Sequence, residues 1–120
     1  MEKKILLVDD AAFMRMMLKD TLSKNGYINI IEAADGEIAC SMYKEELPDL
    51  IIMDITMPNK TGIEALREIK AMDSESKIIM CSAMGQESMV VEAIKLGALD
   101  FIVKPFKPDR ILQIVGKILS

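Results

Sequence analysis

The chain has 120 residues, 51% of them hydrophobic and 28% charged, with a formal net charge of −4 and no histidine. A chain of this length is expected to fold as one domain, residues 1–120, with no output domain attached. The acidic balance argues against a nucleic-acid surface, and no apolar run approaches the ~20 residues of a membrane span. The lack of histidine excludes Ser-His-Asp and Cys-His catalysis, His-ligated zinc and a phosphohistidine on this chain.

The start, Met1-Glu2-Lys3-Lys4, is followed by only four apolar residues, too few for a secretory leader, so a cytoplasmic location is expected. Those four, Ile5 to Val8, form the first of five short β-type runs. The others are Ile28 to Ile31, Leu50 to Met53, Ile78 to Cys81 and Phe101 to Val103. Apart from Asn29 they are continuous rather than alternating, the pattern of strands covered on both faces. Helical segments separate and follow them. About Ala11 to Asn25 closes at Asn25-Gly26. About Gly36 to Glu46 follows Asp35 and stops before Pro48. A third helix opens at Thr61, where Thr61-Gly62-Ile63-Glu64 is a capping-box pattern. A fourth runs from about Gln86 to Leu96 and stops at Gly97. The fifth starts near Pro108, a favoured first-turn residue. The methionine-rich stretch Phe13-Met14-Arg15-Met16-Met17-Leu18 in the first helix reads as core packing, with an adaptable docking surface as the less favoured alternative. Cys40 and Cys81 have no metal-ligand spacing and read as buried, reduced thiols.

This is an α/β chain with five strand–helix repeats. Right-handed crossovers then leave few topologies, and five strands suit a flavodoxin-like (βα)5 fold, a doubly wound five-stranded parallel sheet of order 2-1-3-4-5. In such sheets ligands bind beyond the carboxyl ends of the strands, where the order reverses. The residues predicted there are Asp9 and Asp10 after the first strand, Asp54 after the third, Ser82 after the fourth and Lys104-Pro105 after the fifth. The second strand offers only Glu32.

Each of these residues has an ordinary explanation. Asp10 could cap a helix, Asp9 could be a solvated turn residue, Ser82 could bond a loop and Lys104 could be exposed. Convergence from four strands is harder to dismiss. Three crowded carboxylates repel one another unless a cation is present. Oxygen donors alone select a hard ion, and few protein ligands with room for water and phosphoryl oxygens favour magnesium over calcium. Magnesium beside a carboxylate nucleophile neutralises charge that would repel an incoming phosphoryl group. Lys104 would add a second positive contact and Ser82 a hydrogen bond. Asp54 is the preferred nucleophile because its strand lies centrally, between the first and the fourth.

Together, Leu6-Leu7-Val8-Asp9-Asp10, Met53-Asp54-Ile55-Thr56-Met57-Pro58 with Gly62, Cys81-Ser82-Ala83 and Lys104-Pro105-Phe106 resemble the receiver domain of bacterial two-component response regulators. The resemblance covers essentially the whole chain, and Asp10-Ala11-Ala12-Phe13-Met14-Arg15 with Ser82-Ala83-Met84-Gly85-Gln86 is similar to the stand-alone chemotaxis members. It implies phosphorylation of Asp54, magnesium held by Asp9, Asp10, Asp54 and the Thr56 backbone carbonyl, phosphoryl contacts from Ser82 and Lys104, a switch pair Ser82 and Phe101, and a Lys104-Pro105 bond that is often cis.

The implied role is a signalling switch rather than an enzyme, limited to self-phosphorylation and autodephosphorylation. The implied partners are a CheA-like histidine kinase, a FliM-like flagellar motor switch protein and a phosphatase; neither nucleic acid nor membrane is implied, and the chain is expected to be monomeric. The alternative within the family is a phosphorelay intermediate that passes its phosphoryl group to a histidine phosphotransferase. The readout face is expected on the fourth helix, fifth strand and fifth helix, with Met89, Lys95, Phe101, Lys104 and Lys107 as candidates. Phe101 stands where some relatives carry tyrosine, and Thr56 and Met84 occupy positions that tune dephosphorylation. Two rivals fit less well. A haloacid-dehalogenase-like phosphatase wants a second aspartate at position 56, and a flavin module wants a phosphate-cradling loop in place of the acidic Asp9-Asp10-Ala11-Ala12.

Overall fold

The apolar runs at the centre of the sheet become strands whose two faces are both buried. The computed structural model describes residues 2–120, with strands β1 (Lys4–Val8), β2 (Asn29–Ala33), β3 (Leu50–Asp54), β4 (Ile78–Ser82) and β5 (Asp100–Val103). The helices are α1 (Ala12–Ser23), α2 (Gly36–Glu46), α3 (Gly62–Met72), α4 (Glu87–Lys95) and α5 (Pro108–Leu119). All strand pairs are parallel and the order is β2-β1-β3-β4-β5, as the alternation of elements predicts.

Side chains on successive strand residues point to opposite faces, and here both faces meet helices. Leu6, Val8, Ile51, Met53, Ile78 and Met80 pack with residues of α2, α3 and α4, including Cys40, Leu66, Ile69 and Ala93. Ile5, Leu7, Leu50, Ile52, Ile79 and Cys81 pack with Leu18 and Leu22 of α1 and Ile111, Ile114 and Val115 of α5. Two cores thus sandwich one sheet, which is why the central strands read as unbroken apolar runs. The edge strands depart from that pattern. β2 is mostly half-buried, and β5 buries only Ile102 fully.

Two sequence readings need correction. The second strand begins at Asn29 rather than Ile28, which is 61% exposed. Its register is set by pairing Lys4 with Asn29 and Val8 with Ala33, so the strand runs on through Glu32. The methionine-rich stripe of α1 is also not core. Phe13 is 63% exposed, and Met16 and Met17 are exposed as well, while the buried side of the helix is Leu18 and Leu22. Apolar residues fill both sides of this helix, so composition alone did not say which side faces the sheet.

Local capping follows the sequence closely. Thr61 forms the complete capping box with Glu64. Asp35 accepts from Ile38 N–H at 2.9 Å and starts α2. Helix α2 ends at Leu47, which takes a left-handed conformation just before Pro48. Cys40 and Cys81 are buried and form no disulfide. Burial is the main reason that the Cys40 thiol is pushed up to about 12, with Glu68 reinforcing it, so it stays protonated and inert.

Candidate functional site

Strand ends bring the predicted residues to one rim. Asp9 leaves β1 with its amide bonded to the Ala33 carbonyl at 3.2 Å, and its Oδ1 accepts from Ala11 N–H at 2.9 Å. Asp9 is only 3% exposed, so it is no solvated turn residue. Asp10 does not cap α1; the cap position is Ala11, without a side-chain bond. Asp54 ends β3 and is 8% exposed. One oxygen from each of Asp9, Asp10 and Asp54 lies within 4.8 Å of the others.

Lys104 joins the cluster from the end of β5. Its amide donates to the Ser82 carbonyl at 2.8 Å, which anchors the loop that leaves β5. The following peptide bond to Pro105 is cis. The ammonium lies 3.1 Å from Asp9 Oδ2 and 3.1 Å from Asp54 Oδ2. A single cation therefore bridges two buried carboxylates, while Asp10 sits at the exposed side of the group.

The electrostatics follow from that crowding. Burial pushes the Asp54 carboxyl up; Lys104 pulls against this, and the Asp9 charge adds to it. Burial alone would lower Lys104, but Asp54 and Asp9 outweigh it and hold the ammonium above its usual range. Burial also pushes the Cys81 thiol up. Oxygen donors only, one of them open to solvent, suit a small hard divalent ion that keeps part of its water shell. The donor set therefore fits the cation that the sequence implies.

Ser82 is buried at the end of β4, one residue beyond Cys81, the register partner of Asp54. Thr56 lies two residues past Asp54 in the loop to α3. Phe101 is half-buried against the core and borders a groove of about 600 Å³, lined also by Ala83, Val90, Val91, Ile94 and Val103. Lys95 borders this groove, and Lys104 and Lys107 border an adjoining cleft. Met89 is exposed and borders neither, and it is not core. Met84 is 86% exposed in the loop between β4 and α4.

Several residues that the sequence reading quoted without a role support the site. Arg15 donates to the Asp9 carbonyl and, at 2.9 Å, to Glu32, so strand β2 does contribute to the rim. The spacing of Arg15 from Asp9 and Asp10 was the available signal. Gly62 donates its N–H to the Ile55 carbonyl at 2.8 Å, and a Cβ there would collide with the Asp54 carbonyl oxygen. Gln86 links the loops after β3 and β4 through Thr56 and Ala83.

Comparison with known proteins agrees with this geometry. Residues 5–116 match the response regulator receiver domain. The chain belongs to the response regulator receiver family. It is 59% identical to the chemotaxis protein CheY of Bacillus subtilis over 120 residues, covering 100% of both chains. It is 57% identical to the CheY of Thermotoga maritima over 118 residues, 98% of each. Among solved structures, the receiver domain of NtrX from Brucella abortus superposes with a TM-score of 0.92 at 34% identity, covering 97% of this chain and 98% of that one. In this receiver, three strand ends supply the clustered groups, β4 lends the Ser82 carbonyl to the Lys104 amide, and β2, through Glu32, holds Arg15.

Proposed function

We propose that this receiver is a chemotaxis switch that accepts a phosphoryl group on Asp54 from a histidine kinase and reports it to the flagellar motor switch. The observation that carries the reading is the Lys104 ammonium, 3.1 Å from both Asp9 and Asp54, whose carboxylates lie within 4.8 Å of a third, that of Asp10. The full-length likeness to two CheY proteins supports the chemotaxis assignment.

An Asp54 oxygen would attack phosphorus while the bond to the donor's imidazole nitrogen breaks and its electron pair leaves with the histidine. The product is an aspartyl phosphate. Asp9, Asp10 and Asp54, with the Thr56 carbonyl, would hold Mg2+, which supplies charge neutralisation for the transferred group. Lys104 would pair with a phosphoryl oxygen, and Ser82 would donate to another. Drawing Ser82 inward shifts the loop into α4, and Phe101 rotates into the space, a shift between two pre-existing conformations. The readout surface would be α4, β5 and α5, with Lys95, Phe101 and Lys107 bordering its groove and cleft.

In this reading the chain is a single receiver domain working in the cytoplasm as a monomer. It turns over no external substrate, and a phosphatase resets it. No helix among the described residues is long and apolar enough to cross a membrane.

The test uses acetyl phosphate and Mg2+ with wild type and Asp54→Asn, read by intact mass. Wild type is expected to gain one phosphoryl group and Asp54→Asn none; equal incorporation would remove Asp54 as the acceptor. Phosphorylated wild type is then offered motor switch peptides or a histidine phosphotransferase. Transfer to the latter without binding to the former would replace the motor reading with the phosphorelay one.

A further inference from the structure

Gln86 occupies the cap position of α4, yet its side chain makes no cap hydrogen bond. It folds back instead. Its Oε1 accepts from the Ala83 backbone N–H at 2.7 Å, and its Nε2 donates to Thr56 Oγ1 at 2.8 Å. One neutral carboxamide thereby spans the gap between the loops leaving β4 and β3. Both anchors adjoin the reacting carboxylate. Thr56 is two residues beyond Asp54, and Ala83 directly follows Ser82, itself next to the strand partner of Asp54.

A phosphoryl group on Asp54 would bring several strongly accepting oxygens to this rim. The Lys104 ammonium already lies beside Asp54; the Ser82 hydroxyl and the first backbone N–H after β4, which belongs to Ala83, leave the neighbouring strand and would be the next donors to such a group. In the unmodified protein that N–H is already committed to Gln86. A bond from it to a charged phosphoryl oxygen is stronger than one to a neutral carboxamide. The exchange is therefore favoured once phosphorus is in place, but the bridge must first be given up.

The geometry points to Gln86 as a positioning residue: by occupying the Ala83 N–H and tying it to Thr56, it holds the β4–α4 loop in its unmodified arrangement, and phosphorylation exchanges this bridge for a phosphoryl contact. The inference rests on Asp54 being the acceptor. Gln86 acts through the loop and does not touch phosphorus. Cutting the bridge raises the fraction of molecules in the competent arrangement by the worth of one neutral hydrogen bond, a factor of about two to ten.

The experiment compares wild type, Gln86→Leu, Thr56→Val and the double variant. Acetyl phosphate with saturating Mg2+ serves as donor, and beryllium trifluoride as a phosphoryl analogue. Each single variant is expected to take up phosphoryl about two- to tenfold faster and to bind beryllium trifluoride tighter by the same factor. The double variant should gain no more than the singles, since both cut one bridge. The Ala83 amide resonance should move in both singles before any donor is added. A helix-starting role alone would lower the melting temperature of Gln86→Leu and leave uptake and Thr56→Val unchanged, which overturns the inference. Additive gains in the double variant overturn it as well. If Gln86→Leu does not fold, Thr56→Val carries the same comparison. Asp54→Asn separates the two levels. Uptake lost there with unaltered kinetics in the singles sinks the bridge alone, whereas undiminished uptake there sinks the acceptor and the bridge together.

Discussion

The two rims of the sheet use similar residues in opposite ways. At the rim where the strands begin, polar groups are matched locally. Lys4 pairs with Glu46 at 2.9 Å, and its amide donates to Asp49 at 2.7 Å. Tyr43 donates to Asp73, and Lys70 donates to the carbonyls of Ser74 and Ser76. The exception is Ser76 Oγ, which is buried without a protein partner. At the rim where the strands end, three carboxylates crowd together, two of them are buried, and both buried ones lean on the same lysine. A rim built for stability distributes charge in pairs. A rim built to receive a ligand leaves an excess that the ligand must answer.

Glycines offer the sharpest way to break this contrast. Gly62→Ala places a methyl group against the Asp54 carbonyl, and rigid backbone cannot yield as a side chain would. A loss of about 3 kcal/mol in urea unfolding is expected. Gly26, between α1 and β2 at the opposite rim, has φ +94° with nothing within 4 Å of an added Cβ. Gly26→Ala should cost only the left-handed conformation, about 1 kcal/mol. Equal losses would show that the carboxylate rim is no more tightly packed than the other.

Charge removal should give a smaller effect of opposite sign at the two rims. Unit charges at the spacing of the aspartate cluster repel by about 1 kcal/mol in a water-like dielectric. Asp10→Asn is therefore expected to raise thermal stability by about that amount in chelating buffer, and to lose part of the stabilisation that Mg2+ brings. Glu46→Gln, which breaks an exposed pair, should lower stability by less than about 0.5 kcal/mol. If Asp10→Asn destabilises in chelator, the carboxylates are not in net repulsion.

The smallest effect concerns pH at the paired rim. The Tyr43 hydroxyl holds the Asp73 carboxyl below its ordinary 3.8, with the Glu75 amide assisting. A carboxyl depressed on folding contributes stability that is fully present above its ordinary value and is lost as pH falls through the folded one. Tyr43→Phe should therefore be slightly less stable than wild type at neutral pH, and the gap should close as pH falls below 3.8. A gap that stays constant on acid titration would mean that the hydroxyl does not favour the charged carboxylate.

Much of the site was legible because the fold converts sequence position into place. A residue just after a parallel strand must appear at the carboxyl rim, so Asp9, Asp10, Asp54, Ser82 and Lys104 could be gathered without coordinates. What went unread depends on contacts between distant segments. Phe13, Met16 and Met17 read as core because α1 is apolar on both sides, and only docking onto the sheet selected Leu18 and Leu22. Gln86 reads as an ordinary helix start, and nothing local announces that its side chain reaches Thr56, thirty residues away in sequence. Glu32 offered no chemistry alone and acquired a role through Arg15.

The sequence by itself determined the order of elements, the parallel sheet, the helix starts at Asp35 and Thr61, and the chemical stock of the rim. These are consequences of short-range pattern: apolar runs, caps and the twofold or 3.6-fold repeat of side chains along the backbone. Tertiary structure alone decided which carboxylates lose their water, which lysine answers them and which amide is held in reserve. Burial and distance set charge energies, and both arise only when strands remote in the chain come to lie side by side.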